Sequence, residues 1–298
     1  MSSPPAPALD VDDALLHNWP LPQPDPEGDK ETRGRALVIA GSAEVPGAAL
    51  LAGIAALRAG AGRLTIATGA RIAQGIALAL PEARVIALPE SADGGLRADG
   101  VDALDKVLRK TQAVLVGPGL QDEAACSAFV QALLPRCGEA AIVLDALAMN
   151  VLRLQPRFDR PVLLTPHGGE MARLWQADKS TVLQEAERIA REAAARWNAV
   201  VALKGARTWI ATPEGQCWRH DSGNAGLATS GSGDALAGLI AGLAARGASL
   251  QQACVWGVAL HARAGNVLAD QRGPLGFLAD ELAAEVPRLM HALGAIET

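Results

Sequence analysis

The chain has 298 residues, half of them hydrophobic and a fifth charged, with a formal net charge of -5. That is ample for a large core. The acidic balance, no Tyr and only three Phe exclude a basic, base-stacking nucleic-acid platform, and the longest apolar runs, such as Ala235 to Ala245, fall short of the ~20 residues a membrane-spanning helix needs.

The N-terminus, MSSPPAPALDVDD, carries neither the basic nor the apolar segment of a secretory signal, so a soluble, cytoplasmic protein is expected. Residues 1–33 read as a Pro-rich arm, extended and packed on the surface or loose, because proline fixes φ and removes a donor. A short helix around Val11–Leu16 is expected within it. From Gly34 the pattern turns regular. Strands are expected at Ala36–Gly41, Arg63–Thr68, Ala83–Leu88, Ala113–Val116, Ala141–Asp145, Pro161–Thr165 and Val200–Lys204, all short apolar runs. Helices alternate with them at Pro46–Ala59, Arg71–Leu80, Val101–Lys110 and Glu123–Leu134, with one long helix over Lys179–Trp197. Thr208–Thr212 and Gln216–His220 flank Pro213-Glu214-Gly215, the spacing of a hairpin at the sheet edge. The last third predicts helices over Gly233–Arg246, Leu250–Ala269 and Phe277–Leu293.

This alternation predicts an α/β fold: a central, mostly parallel sheet covered by helices on both faces, with an antiparallel edge hairpin. No repeat or composition break follows residue 35, so residues 34–298 read as one domain. The four cysteines, Cys126, Cys137, Cys217 and Cys254, are spread without ligand spacing. They read as reduced thiols, and no protein metal site is expected.

In open parallel sheets, ligands bind beyond the carboxyl ends of the strands. Those ends carry the polar and glycine residues here: Gly41-Ser42, Gly117-Pro118-Gly119, Asp145, Thr165 to Glu170, and Lys204-Gly205. Beside them, Ser230-Gly231-Ser232-Gly233-Asp234 runs into an apolar helix. Glycines admit a close ligand, and free N–H groups at a helix start bind anions. The amides around Gly231, Ser232 and Gly233 therefore form a candidate anion hole for nucleotide phosphates. Asp234, in the first turn, is the candidate general base. Lys204, at a strand end beside glycine, is placed to meet phosphate. His167 reads either as a donor to substrate or as a cap on the next helix. Asp145 and Glu170 are weaker candidates that organise the rim, and His17, His220, His261 and His291 read as structural.

The glycine-rich run resembles the anion hole and catalytic Asp of ribokinase-type kinases. Further segments resemble, in order, motifs of the NAD(P)H-hydrate dehydratases: Gly41-Ser42 with Pro46-Gly47-Ala48-Ala49, Val116 to Leu120, Leu144 to Asn150, Thr165 to Met171, Lys204 to Thr208, and Ser222 to Ala228. The resemblance covers about Gly34 to Gly247. It implies a ribokinase-like fold and an ADP-dependent enzyme that restores the S epimer of hydrated NADH or NADPH, releasing AMP and phosphate. It implies that Ala48, Gly119, His167 and Asp234 contact the hydrated nicotinamide nucleotide. It implies that Lys204, Gly205, Ala206, Arg207, Thr208 and Gly233 hold the AMP portion. It also implies a homotetramer. Mg²⁺ is expected with the ADP co-substrate because polyphosphates are normally handled as metal complexes, and the composition predicts no nucleic-acid or membrane partner. The epimerase domain that some family members carry is expected to be absent.

The sequence departs from the family pattern at several points. Gly168 stands where the family has Pro, and Ser230 where it has Gly. Gln121 ends the GPGLG loop, and Leu147 stands in place of the second acid of LDADALN. A related kinase that transfers an ATP γ-phosphate to a vitamin precursor or sugar, and a non-catalytic nucleotide-binding protein, remain open alternatives.

Overall fold

The computed structural model describes residues 6–23, 33–221 and 223–294. In chain order the elements are β1 (Leu9–Asp10), α1 (Asp13–Asn18), β2 (Arg35–Ile39), α2 (Gly47–Arg58), β3 (Arg63–Gly69), α3 (Ala70–Ala79), β4 (Ala83–Leu88), α4 (Asp105–Leu108), β5 (Ala113–Val116), α5 (Glu123–Leu133), β6 (Ala141–Leu144), β7 (Val162–Leu164), α6 (Gly168–Trp175), α7 (Lys179–Gln184), α8 (Ala186–Trp197), β8 (Ala199–Leu203), β9 (Thr208–Ala211), β10 (Cys217–His220), α9 (Ser232–Ala245), α10 (Leu250–Arg272) and α11 (Ala279–Ala292). Short 3-10 helices cover Ala98–Leu104 and Ala146–Arg153.

All ten strands join one sheet in the order β1-β10-β9-β8-β7-β6-β5-β2-β3-β4. β2 to β8 run parallel, and β9 is antiparallel to both β8 and β10. The parallel strands are apolar on both faces because both faces are covered. One face packs α2, α9, α10 and α11 into a core with Ala36, Val38, Leu115 and Val143. The other packs α5 and α8 with Leu37, Val114, Ile142 and Leu164. Among the described residues no helix is long and apolar enough to cross a membrane.

Four expectations change. The long helix over Lys179–Trp197 is two helices, broken at Glu185, whose φ of -115° and ψ of 30° leave the helical region. The expected helix at Val101–Lys110 is a 3-10 run with only Asp105–Leu108 in α-helix, and Phe277 stays outside α11. The hairpin is not the last edge of the sheet, since β1 of the arm pairs parallel to β10 through Leu9↔Trp218 and Asp10↔Arg219. The described part of the arm is thus packed. Leu16 and Leu21 are buried, and the Trp19 and Trp218 rings stack at 5.6 Å. Residues 24–32 of the arm, and Ser222, lie outside the described residues.

The placement of α9 decides where the site forms. A Cβ on Gly238 would lie 2.2 Å from the carbonyl oxygen of Ala52, and one on Gly242 would lie 2.3 Å from that of Ala56. Two glycines four residues apart face α2 along one ridge. The two helices therefore meet backbone to backbone, which brings the start of α9 against the start of α2. Gly231, at φ +84°, makes the left-handed turn into α9, and a Cβ there would sit 2.4 Å from Leu51.

Candidate active site

The polar strand ends converge on one rim. Asp145 follows β6 and is buried. It accepts from Thr165 Oγ1 at 2.5 Å and from Lys204 Nζ at 3.3 Å. Lys204 follows β8 beside His167, held there by a bond from its own amide to the carbonyl of Pro166 at 2.8 Å. A Cβ on Gly233 would stand 3.4 Å from Lys204 Nζ, so the ammonium faces the first turn of α9.

Asp234 lies in that turn. Burial holds its carboxyl up at about 6, against an ordinary 3.8; Asp145 and Glu170 push in the same direction, and Lys204 opposes them. Asp145, Glu170 and Lys204 therefore all act on Asp234 across the rim. The shift is what a base working near neutrality requires, since an unperturbed carboxylate is too weak an acceptor. The helix start also supplies amides at Gly233 and Asp234 that lack carbonyl partners inside the helix. A positive dipole and an ammonium thus face the same point.

His167 does cap α6. Its Nδ1 accepts from the amides of Gly169 at 3.0 Å and Glu170 at 3.3 Å, while Glu170 accepts from the amide of His167 at 2.9 Å. Two amides pointing at Nδ1 put the ring proton on Nε2. The ring is half exposed, so Nε2–H remains able to donate outward. Gly168, at the first position of α6, occupies the place where proline is normally favoured.

A cavity of about 820 Å³ opens along this rim, within the range of cofactor-sized sites. Of the expected nucleotide residues, Lys204, Gly205, Ala206, Thr208 and Gly233 line it, and so do His167 and Ser232. Arg207 is not in the lining. Its side chain is exposed, pairs with Asp221 and lies 5.9 Å over the Trp209 ring. Gly231 and Asp234 sit just outside the lining, Gly231 as the turn and Asp234 on the side facing Asp145. Ala48 and Gly119 form a separate corner, where a Cβ on Gly119 would come within 2.5 Å of Ala48 Cβ. That corner stands at the start of α2, next to the start of α9. Ser230 is exposed, and the left-handed position of the loop falls on Gly231, so the serine leaves the turn unchanged.

Two histidines read as structural, His220 and His261, also line the cavity. They come from β10 and α10, elements whose apolar patterning gives no signal of a site. His261 holds the Ser232 side chain, as described below.

A match to the family model described as NAD(P)H-hydrate dehydratase runs over residues 36–288. The chain belongs to the NAD(P)H-hydrate dehydratase family. It is 47% identical over 280 residues to the ADP-dependent (S)-NAD(P)H-hydrate dehydratase of Xanthomonas campestris pv. campestris, covering 94% of this chain and 95% of that one. The crystal structure of the ADP/ATP-dependent NAD(P)H-hydrate dehydratase from Bacillus subtilis, co-crystallised with ATP and Mg²⁺, superposes with a TM-score of 0.83. It is 32% identical and covers 96% of this chain and 99% of that chain. A ribokinase-like superfamily protein from Enterococcus faecalis, 24% identical, shares the fold at a TM-score of 0.83 over 97% of each chain. The family membership separates the readings the sequence left open.

Proposed function

We propose that this protein is an ADP-dependent hydro-lyase that returns the S epimer of hydrated NADH or NADPH to NADH or NADPH, releasing AMP and phosphate. The observation that carries the reading is Asp234: a carboxylate held near 6 in the first turn of α9, next to Gly233, which with Lys204 lines a nucleotide-sized cavity.

Hydroxide is a poor leaving group, so the ring hydroxyl is first phosphorylated. Asp234 takes its proton while the oxygen attacks the β-phosphorus of ADP, and the bond from that phosphorus to the oxygen of AMP breaks. Lys204 and the amides around Gly231, Ser232 and Gly233 stabilise the charge on the transferring oxygens. The ring nitrogen lone pair then expels phosphate, and loss of a proton from the adjacent ring carbon restores the dihydropyridine. Lys204, Gly205, Ala206, Thr208 and Gly233 hold the AMP portion, and Arg207 flanks it from outside. Ala48, Gly119 and the Nε2–H of His167 position the hydrated nucleotide against Asp234.

Among the described residues no group of three or more His, Cys, Asp or Glu side chains forms a metal cage. The donors present, Asp145 and Glu170, both act on Asp234 at the phosphate end. Mg²⁺ typically takes one or two carboxylates and completes its shell with phosphates and water. That set fits, and the ion would neutralise phosphate charge there. The reading extends to residues 34–298 working as one domain, to the cytoplasm, and to a homotetramer. Leu78, Leu275 and Leu278, exposed in the single chain, are available to a second copy.

The test is direct. Purified protein with S-epimer hydrate, ADP and Mg²⁺ should restore the near-ultraviolet absorbance of the dihydropyridine, with one AMP and one phosphate per turnover. Absence of recovery with either ADP or ATP would refute the reading. Gel filtration with light scattering reads the assembly state.

A further inference from the structure

His261 sits on α10, in a different helix from the glycine-rich loop, and it is buried. Its Nε2 nevertheless lies 3.0 Å from the carbonyl oxygen of Ser232 and 3.0 Å from Ser232 Oγ. A carbonyl oxygen only accepts, so Nε2 carries a hydrogen. The ring is neutral: burial, with Lys204 and His220 nearby, brings it down to about 4.

These facts fix the direction of the Ser232 hydroxyl. Its oxygen meets an N–H, so it accepts there, and its own hydrogen must turn away from the imidazole. Ser232 is the first residue of α9 and lines the cavity beside Gly233, Lys204 and His261. The groups that act on His261 from other elements are Lys204 and His220, and neither is an acid. Ser232 lines the cavity, so the cavity is open to the hydroxyl hydrogen.

We infer that the Ser232 hydroxyl donates a hydrogen bond to a phosphoryl oxygen of the bound nucleotide, and that His261 is a positioning residue that holds it in that role. This rests on the cavity being the ADP site. The anion hole then has a side-chain donor in addition to its amides, and its orientation comes from α10. Ser232 becomes a catalytic residue, whereas His261 acts only through it.

The experiment compares wild type with Ser232→Ala, Ser232→Thr, His261→Leu, His261→Gln and the Ser232→Ala/His261→Leu pair, at saturating ADP and Mg²⁺. Losing one preorganised donor lowers kcat by about 100- to 1,000-fold in Ser232→Ala, with KM for the hydrate unchanged. Ser232→Thr, which keeps a hydroxyl, recovers most of it. His261→Leu falls similarly, and His261→Gln, whose amide reaches the same point, recovers. The double variant falls no further than the worse single one, because residues acting as a unit are non-additive. Calorimetry adds a readout independent of turnover: Ser232→Ala weakens ADP about 10-fold and leaves adenosine unchanged.

Full kcat and wild-type ADP affinity in Ser232→Ala overturn the inference. So do independent, multiplying losses in the double variant. If His261→Leu does not fold, His261→Gln and the serine variants still decide. If wild type binds ADP but never consumes hydrate, the proposed function fails alone, and the calorimetry still judges the hydroxyl.

Discussion

Lys204 Nζ stands 3.3 Å from Asp145 Oδ1, a contact that joins the ends of β8 and β6 across β7. Both side chains are largely buried, so the pair keeps a cation beside the first turn of α9, oriented by a carboxylate that Thr165 also binds. Lys204 is also the group that opposes the upward shift of Asp234. Lys204→Met removes that opposition while Asp145 and Glu170 stay. The acid limb of the kcat/KM profile is then expected to move above the wild-type position near 6, and ADP to bind about 10-fold or more weakly. A pH–rate profile with parallel calorimetry checks it; an unmoved limb would show that Lys204 does not reach Asp234.

Asp234 itself links activity and stability. Its native carboxyl holds its proton up to about 6, while the unfolded chain releases it near 3.8. The native state therefore binds more protons between those values, and stability falls as pH rises through that window. Above it the penalty is fully present, about 1–2 kcal/mol after discounting for partial exposure. Asp234→Asn should abolish turnover yet raise Tm at pH 7.5 by a few degrees, with the gain vanishing below pH ~4. Scanning calorimetry at the two pH values tests this, and a destabilised Asn variant at pH 7.5 contradicts it.

His261 has the opposite sign. Its native pKa of about 4 lies below the ordinary 6.5, so between those values the unfolded chain binds the extra proton. Stability from this residue is complete above about 6.5 and drains away as pH falls toward 4. The steep part of the pH–Tm curve over that range should flatten in His261→Gln. An identical slope would place the acid sensitivity elsewhere.

The glycine seam between α2 and α9 gives a prediction remote from any ligand. Gly238 is one helical turn, about 6 Å along the axis, from Asp234, and a methyl there has no room against Ala52. Gly238→Ala must push the helices apart at a cost of about 1–3 kcal/mol or more. Because Asp234 rides on one helix and Ala48 on the other, kcat is expected to drop more than the population of folded protein. Folded fraction by circular dichroism, compared with kcat, separates the two effects.

Much of this was legible because the sequence speaks loudest where backbone chemistry is demanding. The apolar runs of β2, β5 and β8 mark buried parallel strands, and Gly231 to Asp234 mark the left-handed turn that starts α9. The break at Glu185 was hidden, since Val182 and Ile189 are both buried and the residue between the helices is neither Gly nor Pro. The 3-10 run after β6 starts from Ala146 at φ +48°, a left-handed position with no glycine to signal it. His261 and His220 were missed for a different reason: each lies inside a regular element, where a buried histidine looks the same whether it braces a core or a cavity wall. Arg207 shows the converse, a motif residue whose side chain turns outward to Asp221.

The arm braces the cavity from outside. The carbonyl of Trp19 accepts from both Gln252 Nε2 and Trp256 Nε1 on α10, the carbonyl of Pro22 accepts from Arg246 at the end of α9, and Leu9–Asp10 zip onto β10. α10 carries His261 and β10 carries His220, so two walls of the cavity are tied down by a stretch some two hundred residues away in sequence. On the proposed reading, the shape of the nucleotide site depends on a segment remote from it in sequence. Truncation before Leu21 would be felt as a leakier pocket, with ADP lost faster, well before it was felt as an unfolded protein.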